Sequence, residues 1–275
     1  MADMLHFLYG TTVGRTVLKG LTTPALSKAC GRFLDSAASG ILIDPFVRKN
    51  GIDLSEYETE SMRSFNDCFS RKIKPGLRPI DLEPEHLIAP CDGLLSVSEI
   101  REDTVLHVKN SSYRLPDLLN SKRLADYYRD GLCLVYRLCV NHYHRYCYVD
   151  SGQKSRNIFI PGELHTVRPV ALEKIPVFAR NCREYTLLKT KNFGTVLQME
   201  VGAMLVGRIV NYDQEASVRR GQEKGMFQYG GSTIIVLLRK DRAALLSEFA
   251  GTLVSGEEVP VKMGQQVGRK AAPEQ

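Results

Sequence analysis

Gly230-Gly231-Ser232-Thr233 is the stretch of this 275-residue chain whose residue types most directly suggest chemistry. It stands just before "IIVLL", a β-branched, apolar run that reads as a buried strand. Two glycines ahead of a strand fit an ordinary hairpin turn. They also fit an unusual backbone, because glycine has no Cβ to clash. In that second reading the Ser232 hydroxyl attacks the Gly231 carbonyl and turns an amide into an ester. The attack needs a base for the hydroxyl proton and donors for the oxyanion. Loss of the α-proton of residue 232 then expels the Gly231 carboxylate. The dehydroalanine left behind hydrolyses to a pyruvoyl group and ammonia. A ketone conjugated to an amide is an electron sink, a role that bound cofactors fill elsewhere.

Bases for such a step lie upstream. "CVNHYHRYCYVDSG" (139–152) carries His142, His144 and Arg145 on or beside a strand. In an extended strand 142 and 144 share a face. An imidazole titrates near neutrality, so either fits a general base, and both also fit an exposed polar strand. No third ligand stands at a suitable spacing, so no metal is expected. Asp92 in "APCDG" (89–93) reads as an Asp-Gly turn, or as the carboxylate that orients a histidine in a Ser–His–Asp relay.

These residues need elements to hold them. Residues 1–50 have amphipathic helical character, with Thr23-Pro24 as a start signal and Leu26, Ala29, Cys30, Phe33 and Leu34 on one face. The segment is basic, with Arg15, Lys19, Lys28, Arg32, Arg48 and Lys49 against Asp3, Asp35 and Asp44. It suits a membrane surface, or packing on the rest of the chain. Ser64 is a plausible cap for a short helix, followed by a cluster of Arg71, Lys72, Lys74 and Arg78 that suits phosphates or a solvated face. From about residue 86 the chain turns to short β-branched runs such as "GLCLVYRLCV" and "VLQMEVGAMLVGRIV". The expected class is α+β: an N-terminal helical leader over 1–60, then a β-rich, sandwich- or barrel-like domain over 61–275.

Composition bounds the rest. No apolar run is long enough for a spanning helix, and the start lacks a secretory signal. Seven cysteines, odd in number and without a C-x-x-C pair, suit free thiols in a reducing compartment. A net charge of +6 permits an anionic membrane partner. No nucleic-acid readout module is visible, so no nucleic acid is expected.

Together, "SFNDCFSRKIKPGLRPI", "APCDG", "YHRYCYVDSG", "PGELHTVRP", "NCREYTLL", "VGAMLVGRIV" and "RRGQEKGMFQYGGSTIIVLL" resemble the phosphatidylserine decarboxylase family. They occur in family order over roughly residues 60–240, and "LYGTTVGRTVLKGL" resembles the helical leader of bacterial members. The resemblance implies that Ser232 becomes a covalent pyruvoyl cofactor, with cleavage between Gly231 and Ser232. The products would be a β chain of 1–231 and an α chain of 232–275. Asp92 matches the processing aspartate, and His144 the first histidine of an H-R-x-H pattern. The second histidine of that pattern falls here on Cys147. Either His144 takes over as base with Asp92 orienting it, or Cys147 serves as a thiolate, or processing is impaired. His142, Gly230 and Thr233 are supporting candidates. The implied activity is conversion of phosphatidylserine to phosphatidylethanolamine through a Schiff base. The implied setting is peripheral, on the cytoplasmic face of the cell membrane, with a homodimer as a plausible state. Leu5, Phe7, Leu8, Val17 and Leu18 are then candidates for insertion. The rival expectations are a decarboxylase of a soluble amino acid and a non-catalytic membrane-binding homologue.

Overall fold

Ser232–Leu238 is buried at every position, so it needs a packed layer on each face. In the computed structural model of the chain, the described residues are 24–101, 105–108, 111–163, 165, 177–202, 208–229 and 232–272, with positions 7, 11, 13 and 14. Gly230 and Gly231 lie outside them, as do Leu5, Leu8, Val17 and Leu18.

The strands, in chain order, begin with β1 (Tyr57–Glu58), β2 (Lys72–Ile73), β3 (His86–Ile88), β4 (Gly93–Glu99), β5 (Val105–Val108), β6 (Ser111–Arg114) and β7 (Leu132–Leu138). Next come β8 (Arg145–Cys147), β9 (Gly152–Lys154), β10 (Ile158–Ile160), β11 (Arg183–Thr190), β12 (Thr195–Gly202) and β13 (Ile209–Asn211). The last are β14 (Ala216–Val218), β15 (Glu223–Phe227), β16 (Ser232–Leu238), β17 (Ala243–Leu245), β18 (Val259–Val261) and β19 (Gln266–Lys270). One antiparallel sheet runs β14-β9-β11-β12-β16-β7-β4-β18, with β10 also beside β11. A second sheet runs β13-β15-β8.

Alternation along β16 divides its side chains between two layers. Ile235 and Leu237 join Val135, Leu197 and Met199 under short helices that contribute Leu115, Leu118 and Leu119. Ile234, Val236 and Leu238 join Leu134, Tyr136 and Val196 under the second sheet, which contributes Tyr146 and Phe227. The expected α+β class is what forms. The large sheet ends at β14 on one side and β18 on the other, so it is an open layered arrangement rather than a closed barrel.

Helix α1 spans Pro24–Leu34, beginning where the Thr23-Pro24 signal puts it. A 3-10 turn (Ala37–Leu42) leads into α2 (Ile43–Asn50), and α3 spans Phe65–Phe69. Ser64 caps α3 reciprocally: its hydroxyl accepts from the Asp67 N–H, and the Asp67 carboxylate accepts from the Ser64 N–H. Leu34 and Cys30 pack on Phe65 and Phe69, but Phe33 is 48% exposed, so the face expected for α1 is split. Residue 60, the expected boundary, lies in the connection between β1 and β2, which pair Tyr57 with Ile73 and Glu58 with Lys72.

Candidate active site at the head of strand β16

Ser232 opens β16 with Gly202 of β12 on one side and Leu138 of β7 on the other. Its side chain takes the Ile234 face, toward the second sheet, and Thr233 takes the opposite face. Both hydroxyls are buried and have no hydrogen-bond partner among the described residues. A buried hydroxyl without a partner costs about 1–3 kcal/mol, so it asks for an explanation.

His144 stands just before β8, and its carbonyl accepts from the N–H of Phe227 on β15. It therefore belongs to the sheet that covers the Ser232 face. Its Nδ1 lies 2.9 Å from the carbonyl oxygen of His142. A carbonyl only accepts, so Nδ1 carries the proton and Nε2 the lone pair. Nε2 is buried without a partner among the described residues. Phe69 stacks on the ring at 4.0 Å between centroids. Burial, and next the Arg71 charge, hold this imidazole well below its ordinary titration range, so it is neutral at pH 7.

The two histidines do not share a face. His142 sits in a turn closed by its own N–H to the Cys139 carbonyl, ahead of the strand. Its Nδ1 accepts from the Cys139 N–H, which is the reverse of the His144 arrangement. Burial lowers the His142 pKa as well. The turn is clamped by Arg71, which is 1% exposed. Its guanidinium donates to the carbonyls of Asn141 and His142 and lies over the Tyr57 ring.

Asp92 leaves the sheet at the same end as Ser232, two strands away, since Leu94 pairs with Arg137 and Ser232 with Leu138. Two strand spacings are about 10 Å. Its carboxylate takes Arg78 Nε at 2.8 Å and Nη2 at 2.6 Å, and it accepts from the Met263 N–H. No hydrogen bond joins it to His144 among the described residues; the His144 ring is oriented by the backbone instead. Asp92, Arg78 and His142 line one cleft of about 480 Å³, together with Tyr57 and Lys262. The basic cluster is split: Arg71 and the Arg78 side chain are internal, whereas Lys72, paired with Glu58, and Lys74 are exposed as a solvated face would be.

Cys147 is buried on β8, and burial pushes its thiol up to about 12. It is protonated at neutral pH and is not a thiolate base. The sequence singles out Arg71 and Arg78, but as part of a phosphate-binding or solvated run; their internal places were not legible in it. Sequence reading missed Tyr229, whose ring packs on Phe65 and Phe69, and a buried pair formed by Glu200 and Lys224. A signal for Glu200 did exist, because "LQMEV" alternates apolar and polar residues.

The family described as phosphatidylserine decarboxylase matches residues 65–269. The chain is 42% identical to "Phosphatidylserine decarboxylase proenzyme 2" of Clostridium acetobutylicum, over 96% of this chain and 91% of that one. It is 40% identical to a phosphatidylserine decarboxylase proenzyme of Ruminiclostridium cellulolyticum, over 96% and 90% of the two chains. With one of Clostridium tetani the identity is 39%, over 87% and 82%. By this match over most of its length and by these identities, the chain is a decarboxylase and belongs to the phosphatidylserine decarboxylase family.

Proposed function

We propose that the chain is a self-processing decarboxylase of phosphatidylserine, with Ser232 as the source of a covalent pyruvoyl group. The observation that carries this is the pair of buried atoms on one side of the large sheet, Ser232 Oγ and His144 Nε2, each without a partner among the described residues. One is a nucleophile once deprotonated, and the other is an available lone pair.

In this reading His144 Nε2 takes the Ser232 hydroxyl proton as Oγ attacks the Gly231 carbonyl. The His142 carbonyl holds the tautomer and stabilises the imidazolium that forms. Arg71 keeps that carbonyl in place, although its charge opposes the imidazolium. The pyruvoyl ketone supplies an electron sink for the electrons released when the substrate amine's carboxylate departs. A buried layer also excludes water, which strengthens the electrostatic effects inside it.

Processing need not unfold the chain. Residues 232–238 stay hydrogen-bonded to β12 and β7 on both sides. The rest of the 232–275 product keeps β18 on β4 and β19 on β3. Two polypeptides would remain one folded body.

The substrate assignment is supported by the relatives' names and by apolar groups on the outside of the helical layer. Ile41 is 77% exposed, and Phe33 is exposed as well. Among the described residues no helix is long and apolar enough to cross a membrane. A peripheral association through this layer and the preceding leader suits a lipid substrate.

The test is an intact mass of the purified, denatured protein. We expect two chains, the smaller beginning at residue 232 and lighter by one ammonia than a serine-started fragment. A single uncut chain, with and without phospholipid vesicles, overturns the reading.

A further inference from the structure

Strand β12 alternates, with Leu197, Met199 and Val201 under the helices and Gln198, Glu200 and Gly202 on the other face. On an uncovered sheet that polar side would meet water. Here the second sheet covers it, and Glu200 and Lys224 of β15 are both 0% exposed. Lys224 Nζ lies 2.6 Å from Glu200 Oε2 and 2.7 Å from Asn211 Oδ1. Charges without water are costly unless paired and hydrogen-bonded. The pairing accounts for one carboxylate oxygen. The other, Glu200 Oε1, has no partner among the described residues. Burial raises the Glu200 pKa, and Lys224 opposes that rise.

The register fixes where this carboxylate stands. Gly202 is opposite Ser232, and Glu200 is opposite Ile234. Glu200 is thus a diagonal neighbour of Ser232 on the same face. Such neighbours are about 7–8 Å apart, within reach of a long side chain. Gly202, directly opposite Ser232, has no side chain to stand between them.

We propose that Glu200 is a further proton-transfer residue of the self-processing reaction, taking the α-proton of residue 232 through Oε1 while Lys224 holds Oε2. The proposal rests on the self-cleavage reading above. It divides two proton transfers between two groups. His144 takes the hydroxyl proton when the ester forms. Glu200 takes the α-proton when the ester breaks: the C–H electrons become the Cα=Cβ bond, the Cβ–Oγ bond cleaves, and Gly231 leaves as a carboxylate. The dehydroalanine then tautomerises, adds water and releases ammonia. The protonated Cys147 thiol supplies no base for either step.

Hydroxylamine at neutral pH separates the two transfers, because it opens an ester far faster than a peptide; the Asn50-Gly51 bond, which it opens in alkali, gives fragments of a different mass. Full-length protein is followed by intact mass with and without it. For Glu200→Gln we expect the ammonia-lighter fragment to form about a hundredfold more slowly than in the unmodified chain. Hydroxylamine should still split this variant, giving a serine-started fragment. For His144→Ala we expect no split with hydroxylamine either. The double variant Glu200→Leu/Lys224→Met replaces the ion pair with apolar groups, a change that often leaves a fold as stable or more so. It should share the Glu200→Gln behaviour at an unchanged melting temperature; if it does not fold, Glu200→Gln decides alone. Wild-type rates of ammonia-lighter fragment in Glu200→Gln would overturn the proposal, as would resistance of that variant to hydroxylamine. An unmodified chain that never splits defeats the self-cleavage reading itself, so the two failures are distinguishable.

Discussion

The chemistry proposed for His144 depends on a backbone oxygen. The His142 carbonyl takes the proton on Nδ1 and so leaves Nε2 as a lone pair. Burial and the Arg71 charge hold the ring's pKa well below the ordinary imidazole value. Two outcomes follow at this scale. His144→Ala should leave the chain uncut, or slow the cut by about a hundredfold or more; an intact mass reads this, and full splitting removes His144 as the base. In the unmodified protein the rate of self-cleavage should stay flat as pH falls from about 8 through about 6.5, the ordinary imidazole value. The sign follows from the depressed pKa: a base that resists protonation stays available below the pH at which a solvated histidine is lost. A rate that halves near pH 6.5 would point to an exposed imidazole. The histidine itself was legible in the sequence, by its type and place. Its tautomer was not, since that depends on a carbonyl two residues back turned toward it by Arg71, a residue 73 positions away from His144 in sequence terms and buried where its basic neighbours suggested solvent.

At the scale of elements, the N-terminal helices and the segment that leads into β16 are joined through α3. Asp35, just past α1, accepts from the Asn66 side-chain amide, and the Asn66 Oδ1 accepts from the Tyr229 N–H. Phe46 of α2 sets its ring against Phe65, 4.9 Å between centroids, and Phe65 sets its own against Tyr229 at 4.9 Å. Tyr229 lies three residues before Ser232. The helical layer thus anchors the chain where it enters the proposed cleavage site. Asn66→Ala removes both hydrogen bonds and should cost about 1–3 kcal/mol of stability. It should also slow self-cleavage several-fold, because a loosened Tyr229 positions the attacked carbonyl less well; about 1 kcal/mol of lost positioning is roughly fivefold in rate. A denaturant titration and a mass time course read the two effects. Lower stability with an unchanged rate would make Asn66 a structural residue only. The elements that could be read from sequence were those with local signals: the Pro24 helix start, the Ser64 cap and the apolar run of β16. What could not be read was which element covers which. The polar side of β12 looks solvent-facing until β15 closes over it, and only a non-local contact decides that.

For the molecule as a whole, the question is how a protein without a spanning helix among its described residues meets a lipid. The helical layer has two sides. Leu34 and Phe46 face the Phe65–Phe69 cluster, whereas Phe33, Ile41 and Leu42 are exposed. Arg32, Arg48 and Lys49 belong to the same short stretch, and the chain carries a net charge of +6. Exposed apolar groups flanked by cations suit a bilayer with anionic headgroups, where each cation near the surface contributes about 1 kcal/mol. The side chains that would enter lipid are not those that support Tyr229, so membrane binding and self-cleavage should be separable. Phe33→Ser/Ile41→Ser should weaken binding to phosphatidylserine vesicles by about tenfold or more, given roughly 1.5–3 kcal/mol for each fully buried apolar side chain. The mass time course of self-cleavage should be unchanged in the same variant. Added salt should weaken the binding of the unmodified protein, through screening of the cations. Cosedimentation with vesicles measures both effects. Equal binding by the double variant would mean that this outer face is not the one that meets the bilayer. A loss of cleavage along with binding would mean that the outer and inner sides of the layer act as one unit, and that a membrane-bound chain and a processed chain are the same event.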